Sequence, residues 1–270
     1  MPELPEVETV ALSLRPRLLG RTVRTLRVHD ARLKPRAWPR LPGRRIVHVG
    51  RSGKRVLIGF SERSMRDGPL WLAVHLRMTG SLIWTAASAR TPRAHLRARI
   101  ELDRGTLSFF DTRRFGTFEW YRSEHAAGPA GVDPLSPALD ERALERLLAG
   151  TRQNVKAWLL RQDRLVGLGN IYASEILHAA AISPARAAGS LDRAERKRLL
   201  RAIRSVLRRA IGHNGTTLSD FRDAYGESGS NQRYLRVYGR EGRPCPRCAA
   251  TVLREVQQQR STYWCPGCQR

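Results

Sequence analysis

The hydrophobic pattern at the start of the chain is that of a helix. Apolar side chains recur at spacings of three and four, at Val7, Val10, Ala11, Leu14 and Leu18. This pattern predicts an amphipathic helix that starts near Pro5. Glu6 and Glu8 fall in its first turn, where acidic side chains suit the positive end of the helix dipole.

From Thr22 to Tyr121 the pattern changes to short alternating or apolar runs that are broken by Gly, Pro and Arg. The clearest run is LRARIEL, in which Leu96, Ala98, Ile100 and Leu102 share one face and charged residues share the other. Such runs predict an antiparallel sandwich or barrel with one buried and one solvated face.

The segment AAGPAGVDPLSP, residues 126–137, has no periodicity and predicts a linker. Helical patterns follow it, with Asp140 and Asn170 as candidate caps and a capping box from Asp192 to Glu195. Strands first and helices afterwards predict an α+β protein of more than one domain. The predicted boundaries are a helix and β-rich domain at 1–125, a linker at 126–137, a helical domain at 138–231 and a cysteine-rich domain at 232–270.

All four cysteines lie near the end of the chain, as CPRC at Cys245 and Cys248 and CPGC at Cys265 and Cys268. Two such pairs on a short hairpin supply the four thiolates of a tetrahedral zinc site without an open position. We therefore expect one structural Zn²⁺, with two disulfides as the less favoured alternative. We expect no redox or nucleotide cofactor.

The composition indicates a polyanionic partner. The 270 residues include 49 Lys plus Arg and 24 Asp plus Glu, which gives a formal net charge of +25. Only four of these cations are lysines, so Lys54 and Lys156 are candidates for a role that a guanidinium does not serve; four scattered lysines without any special role are the equal alternative. No stretch is apolar enough for a membrane span, and acidic residues near the start do not favour a secretory signal, so we expect a cytoplasmic protein.

The first residues suggest covalent chemistry. If the initiator Met is removed, Pro2 carries a secondary amine that can attack a sugar aldehyde carbon and form a permanently cationic iminium. Glu3 and Glu6 follow within one turn, as a candidate general acid and a supporting carboxylate.

Eight motifs resemble, in order, those of the formamidopyrimidine-DNA glycosylase family. They are PELPEVET, GKRVL, HLRMTGSL, DTRRFG, VGLGNIYASEIL, GTTLSDF, VYGREGRPCPRC and CPGCQR. The resemblance implies an N-terminal β-sandwich, a helix-two-turn-helix domain and a zinc finger. It also implies a bifunctional repair enzyme, acting on damaged double-stranded DNA as a monomer associated with the nucleoid. Such an enzyme excises 8-oxoguanine and formamidopyrimidines and then cuts the strand by β,δ-elimination.

The resemblance also implies roles for individual residues. Pro2 is the expected nucleophile and Glu3 the proton donor, while Lys54 and Arg260 are expected to contact phosphates and assist elimination. An extruded base leaves a gap in the stack, and apolar or cationic side chains suit that gap. The expected wedge is Met78, Arg113 and Phe115. The expected DNA contacts are His95, Arg113, Arg152, Lys156 and Asn170, and the expected lesion loop is Thr216, Thr217, Leu218, Ser219, Asp220 and Phe221.

Two other functions remain open at this point. The ending STYWCPGC is nearer to endonuclease VIII, the sister group that prefers oxidised pyrimidines. The start PELPE and the GTTL loop place the chain on the purine side. A non-catalytic zinc-ribbon protein that binds nucleic acid would also fit the charge and the cysteines.

Overall fold

The chain forms two compact units. A computed structural model describes residues 1–34, 39–62, 68–87 and 92–270. The first unit combines Met1–Gly128 with His213–Ser230, and the second combines Pro129–Gly212 with Asn231–Arg270. The first is mostly β-structure and the second mostly helical, so the predicted α+β class is confirmed.

The first unit is an antiparallel sandwich with one helix at its start. One sheet has the strand order β1-β6-β7-β5 and the other β2-β3-β4-β8. Apolar side chains from both sheets share a single buried core. Its elements are α1 (Leu4–Leu18), β1 (Val23–Val28), β2 (Ile46–Ser52), β3 (Arg55–Phe60), β4 (Leu70–His75), β5 (Gly80–Thr85), β6 (Leu96–Leu102), β7 (Thr106–Asp111), β8 (Thr117–Tyr121) and α2 (Glu124–Ala127).

Most of these strands follow the predicted apolar runs. In β6, Ala98, Ile100 and Leu102 are buried, as the alternation predicts. Strand β2 has a less regular apolar pattern, because His48, Gly50 and Arg51 interrupt it. It is nevertheless paired along its length with β3. Partner strands on the same sheet therefore determine it more than its own pattern does.

The segment His213–Ser230 belongs to the first unit, although the sequence-based boundaries assigned it to the helical domain. Phe221 and Ala224 are part of the sandwich core, and the backbone N–H of Trp84 donates to the Ala224 carbonyl at 3.0 Å. The partners in these contacts are far apart in the chain. The Gly- and Ser-rich sequence around Phe221 and Ala224 has no periodicity from which the contacts could be predicted. Burial of Phe221 is what places the segment.

The second unit contains the predicted helices and a terminal hairpin. Asp140 caps its first helix by accepting the backbone N–H of Ala143 at 2.7 Å. The capping box of Asp192 and Glu195 is also present, with bonds of 2.9 and 2.7 Å. In the described part of the chain, none of the helices combines the length and the hydrophobicity of a membrane span. The elements are α3 (Glu141–Leu148), α4 (Val155–Leu159), α5 (Asn170–Ala180), α6 (Arg193–Gly212), β9 (Leu253–Gln257) and β10 (Arg260–Trp264).

The expected cap at Asn170 is wrong. Gly169 occupies the N-cap position of α5, and Asn170 is the first helical residue. The Asn170 amide instead donates to the backbone carbonyl of Ser261 at 2.8 Å. Its side chain therefore fastens the hairpin rather than the helix end.

A buried carboxylate joins α5 to the segment that precedes the hairpin. Glu175 is 1% exposed and accepts the backbone N–H groups of Arg236, Val237 and Tyr238 at 2.9 to 3.0 Å. Burial raises the pKa of Glu175, while these three N–H groups oppose that rise. The carboxylate thus satisfies three successive backbone N–H groups of a segment that is neither helix nor strand.

We expect Glu175→Gln to destabilise the second unit by about 2–4 kcal/mol, because the new amide presents N–H donors to three backbone donors. Urea unfolding followed by circular dichroism measures the change. The control is Glu145→Gln, since Glu145 forms an exposed 2.6 Å ion pair with Arg196. That control should cost about 1 kcal/mol or less, and an equal loss in both variants would contradict the role of Glu175.

Candidate active site and nucleic-acid interface

The first residues of the chain are buried next to Thr216, in the loop for which the resemblance implies lesion binding. Pro2 is buried, Glu3 is 4% exposed and Glu6 is 1% exposed. The Glu6 carboxylate accepts the backbone N–H of Glu3 at 2.8 Å through one oxygen. Through the other it accepts the backbone N–H of Thr216 at 2.7 Å. One carboxylate thus holds both the helix start and the loop.

The expected lesion loop, residues 216–221, is held by hydrogen bonds of Thr217 and exposed in its middle. Thr217 accepts the backbone N–H of Gly229 at 2.9 Å and donates to the Phe221 carbonyl at 3.3 Å. Leu218 is 58% exposed, and Ser219 and Asp220 are exposed as well. The middle of the loop therefore presents an apolar and two polar side chains to solvent.

A glycine allows the loop to approach Glu6 closely. Gly215 has φ of +77°, and a Cβ at this position would lie 3.0 Å from Cγ and from Oε1 of Glu6. A side chain here would be strained by its backbone conformation and would crowd the carboxylate. The glycine of GTTL is consequently required by the contact between Glu6 and Thr216.

Lys54 lies in the tight turn between β2 and β3, next to Gly53 with φ of +60°. His75, at the end of β4, is close enough for the charge of Lys54 to act on its imidazole. Burial first, then the charges of Arg77 and Lys54, lower the pKa of His75 to about 4. His75 is therefore neutral near pH 7 and adds no positive charge beside Lys54.

The three expected wedge residues lie on two loops of the sandwich and reach solvent. Met78 is 42% exposed and Phe115 is 55% exposed. The Arg113 guanidinium carbon lies 6.0 Å from the centre of the Phe115 ring. Large apolar side chains that are so exposed do not belong to the buried core of the sandwich.

Asp111 connects these two loops, and sequence reasoning missed it. Its carboxylate is 1% exposed and accepts the Thr79 hydroxyl at 2.5 Å and the backbone N–H of Gly116 at 2.7 Å. It also accepts the backbone N–H of Arg113 at 3.2 Å. The only sequence signal was its position as the first residue of DTRRFG, at the end of β7.

The carboxylate of Asp30 binds the loop between β7 and β8, which carries Phe115. Arg114, which has φ of +60°, forms a two-pronged ion pair with buried Asp30 at 2.7 and 2.8 Å. These bonds lower the pKa of Asp30 to about 2. His95 has φ of +61° and is exposed, and its backbone carbonyl accepts the N–H of Asp111 at 3.0 Å. The conformation of the loop between β7 and β8 therefore depends on Asp30, which lies 84 positions before Arg114 in the chain.

In the second unit, Asn170 and Lys156 meet at the hairpin. The Lys156 ammonium is buried and donates to the Thr262 hydroxyl at 2.7 Å and to the Ser261 carbonyl at 3.1 Å. The Asn170 amide donates to that same Ser261 carbonyl. Lys156 was expected at a DNA surface, but its charge is enclosed and holds the strand next to Arg260.

Arg260 is exposed at the first position of β10, directly after a two-residue turn. The turn residues Gln258 and Gln259 have φ of +48° and +60°, a conformation that glycine and asparagine adopt more readily. Arg152 is also exposed, before α4. Both guanidinium groups are accessible to a polyanion.

The four cysteines form one cluster. Their sulfur atoms lie within 4.8 Å of one another, with 3.8 Å between Cys245 and Cys268 and 3.4 Å between Cys248 and Cys265. A tetrahedral zinc ion with Zn–S bonds of about 2.3 Å requires sulfur separations of about 3.8 Å. The donor set and its spacing fit that ion.

Comparison with known families covers almost the whole chain. The model described as the formamidopyrimidine-DNA glycosylase N-terminal domain matches residues 1–118, and the one described as the H2TH domain of that enzyme matches residues 130–222. The model described as a zinc finger found in FPG and IleRS matches residues 242–270.

Individual relatives agree with these matches. The chain is 41% identical over 282 residues to formamidopyrimidine-DNA glycosylase of Laribacter hongkongensis, with both chains covered in full. It is 42% identical over 289 residues to that of Cereibacter sphaeroides, again with full coverage of both.

Solved structures share the fold. The MutM (Fpg) protein of Thermus thermophilus is 41% identical and superposes with a TM-score of 0.85, over 99% of this chain and 98% of that one. A complex of Lactococcus lactis Fpg with abasic-site DNA is 29% identical with a TM-score of 0.85, over 99% of each chain. With three successive domains and full-length relatives in agreement, the chain belongs to the formamidopyrimidine-DNA glycosylase family.

Proposed function

We propose that this protein is a DNA glycosylase and abasic-site lyase of base excision repair that removes oxidised purines through a Schiff base on Pro2. The observation that carries the proposal is the shared Glu6 carboxylate, which holds Glu3 and Thr216. A candidate nucleophile, a candidate acid and a loop for the flipped base are thereby tied to one point. Family membership supports a glycosylase acting on damaged DNA.

The chemistry starts with removal of Met1, because an amide nitrogen is not nucleophilic. The free amine of Pro2 attacks C1′ of the damaged nucleotide, and the bond from C1′ to the base breaks with its electron pair leaving on the base. Glu3 protonates the sugar ring oxygen as the ring opens. The proton of the attacking amine passes to the departing base, which frees the nitrogen lone pair to form the C1′=N bond as the ring opens. The product is a cationic iminium, which withdraws electrons from C2′. Loss of a C2′ proton then expels the 3′ phosphate, and a second elimination expels the 5′ phosphate.

Other residues bind and deform the DNA in this proposal. Exposed Arg152 and Arg260, with Lys54, His95 and Asn170, contact phosphates. Exposed Met78 and Phe115 fill the gap left by the flipped nucleotide, and Arg113 pairs with the orphaned base. Lys156 acts indirectly, by holding the strand beside Arg260. One Zn²⁺ on Cys245, Cys248, Cys265 and Cys268 stabilises the hairpin fold. The monomeric state stays a prediction.

Borohydride trapping tests the nucleophile. With Met1 removed, the protein should form a covalent adduct with a lesion-containing duplex, because reduction converts the iminium to a stable amine. A protein extended at its N-terminus by a non-cleavable tag should give essentially no adduct, whereas the same tag at the C-terminus should leave the yield unchanged. Adduct formation at full yield by the N-terminally extended protein would disprove the role of Pro2.

Lesion preference distinguishes the purine enzyme from its pyrimidine-preferring relatives. We expect faster incision of a duplex with 8-oxoguanine opposite cytosine than of one with dihydrouracil, under single-turnover conditions. The comparison matters because one Lactococcus lactis Fpg structure is described as a complex with DNA containing an oxidised pyrimidine. Faster incision at dihydrouracil would favour the endonuclease VIII-like function, and no incision of either duplex would favour the non-catalytic alternative.

Asp111→Asn tests the wedge. The new amide opposes the Thr79 hydroxyl and two backbone N–H groups, so the loops that carry Met78 and Phe115 should lose their arrangement. We expect excision from a duplex to slow by about tenfold or more, on the scale of one lost charged hydrogen bond. Trapping on a single-stranded abasic site, which needs no base flipping, should change little.

Asp103→Asn is the matched control, because Asp103 lies in an exposed turn of the same sandwich. It should leave both rates unchanged. Equal losses on duplex and on single-stranded substrate in Asp111→Asn would show that Asp111 serves general stability and not the wedge.

A further inference from the structure

One histidine of the helical part contacts the cysteine cluster. His178 lies in the last turn of α5 and is 3% exposed. Its Nε2 lies 3.3 Å from Sγ of Cys245, a hydrogen-bond distance for sulfur. The resemblance to the family and the sequence pattern both left this residue unassigned.

The environment of Cys245 makes a protein donor to its sulfur important. Cys245 is 3% exposed and packs with buried Val237 and Val252, so solvent cannot stabilise a charge on it. Four thiolates around one divalent ion carry a net charge of −2. The backbone N–H of Arg247 also reaches Sγ of Cys245, at 3.4 Å. The His178 ring nitrogen is a further polar group within hydrogen-bond distance of this sulfur, from a residue 67 positions away in the chain.

His178 is not required as a ligand. The four sulfur atoms already form a closed set within 4.8 Å of one another. The imidazole meets one of these sulfurs rather than joining the set, which is the usual arrangement of a group that orients a metal ligand. Its position on α5 links that helix to the knuckle of Cys245.

Helix α5 therefore contacts the zinc finger at both ends. At its first residue, the Asn170 amide donates to the Ser261 carbonyl, next to Arg260. In its last turn, His178 reaches Cys245. The helix spans the distance between the metal knuckle and the arginine that is proposed to grip phosphates.

We propose that His178 is a positioning residue for the zinc site, which donates its Nε2–H to the Cys245 thiolate and thereby slows loss of the metal. The inference rests on the zinc that was proposed for the four cysteines. It adds a group outside the cysteine set to the determinants of zinc retention. It also makes α5 the element that couples the metal to the hairpin.

The experiment compares His178→Phe with His178→Gln in the full-length protein. Phenylalanine keeps a flat apolar ring but removes the donor, while glutamine keeps an N–H at a similar reach. Zinc content is measured first by atomic absorption. Zinc release is then followed with a colorimetric chelator under pseudo-first-order conditions. His125→Phe is the control, because His125 is exposed and lies in the first unit.

We expect His178→Phe to release zinc about 10-fold to 100-fold faster than the wild type. The release rate of His178→Gln should lie near that of the wild type, and the rate of His125→Phe should equal it.

In the Co²⁺-substituted proteins, the sulfur-to-metal charge-transfer band should move to lower energy in His178→Phe, because a thiolate without its donor is more electron-rich. His178→Gln should restore the band. If His178→Phe loses its zinc during purification, retention by His178→Gln supports the hydrogen bond, and loss from both variants overturns it.

Three results separate failure of this inference from failure of the zinc proposal. A wild-type protein without zinc would refute the metal itself. A wild type with one zinc and unchanged release from His178→Phe would leave the metal standing and refute the role of His178. A wild-type Co²⁺ spectrum of three sulfurs and one nitrogen would show that His178 is a ligand, and would also overturn the positioning role.

Discussion

The Glu6 carboxylate is the interaction on which the arrangement of the first unit depends. A buried carboxylate is costly unless donors surround it, and here its two oxygens accept the N–H groups of Glu3 and Thr216. Glu3 is the N-cap residue of α1, and Thr216 lies in a loop outside any helix or strand. The carboxylate therefore joins residues that are 210 positions apart in the chain. The start of α1 and the GTTL loop cannot move independently without exposing an unsatisfied charge.

The same device recurs elsewhere. Asp111 accepts donors from both loops that carry the exposed Met78 and Phe115, and Glu175 accepts three successive N–H groups before the zinc hairpin. Each carboxylate lies inside a regular element or at its end, and each fixes an irregular segment. Loops that carry chemistry are thereby held by rigid parts of the fold.

Acidic residues are scarce in this protein, and several of them are buried. The 24 acidic residues are outnumbered by 49 lysines and arginines. The excess cations raise affinity for DNA in general. A few buried acids instead determine geometry. Lys156 shows that a cation can serve geometry as well, because its ammonium is enclosed between Ser261 and Thr262.

The sequence alone determined the fold class, α1, most strands, the helices after the linker and the cysteine pairs, because periodicity and short spacing are local properties. It also marked Pro2, Glu3 and the GTTL motif. Tertiary structure decided that residues 213–230 join the sandwich and that Asn170 fastens the hairpin. It also decided that Asp111 and Asp30 hold loops of the sandwich and that His178 contacts Cys245. These outcomes depend on partners far away in the chain. Burial and hydrogen-bond geometry, which no local pattern records, select those partners.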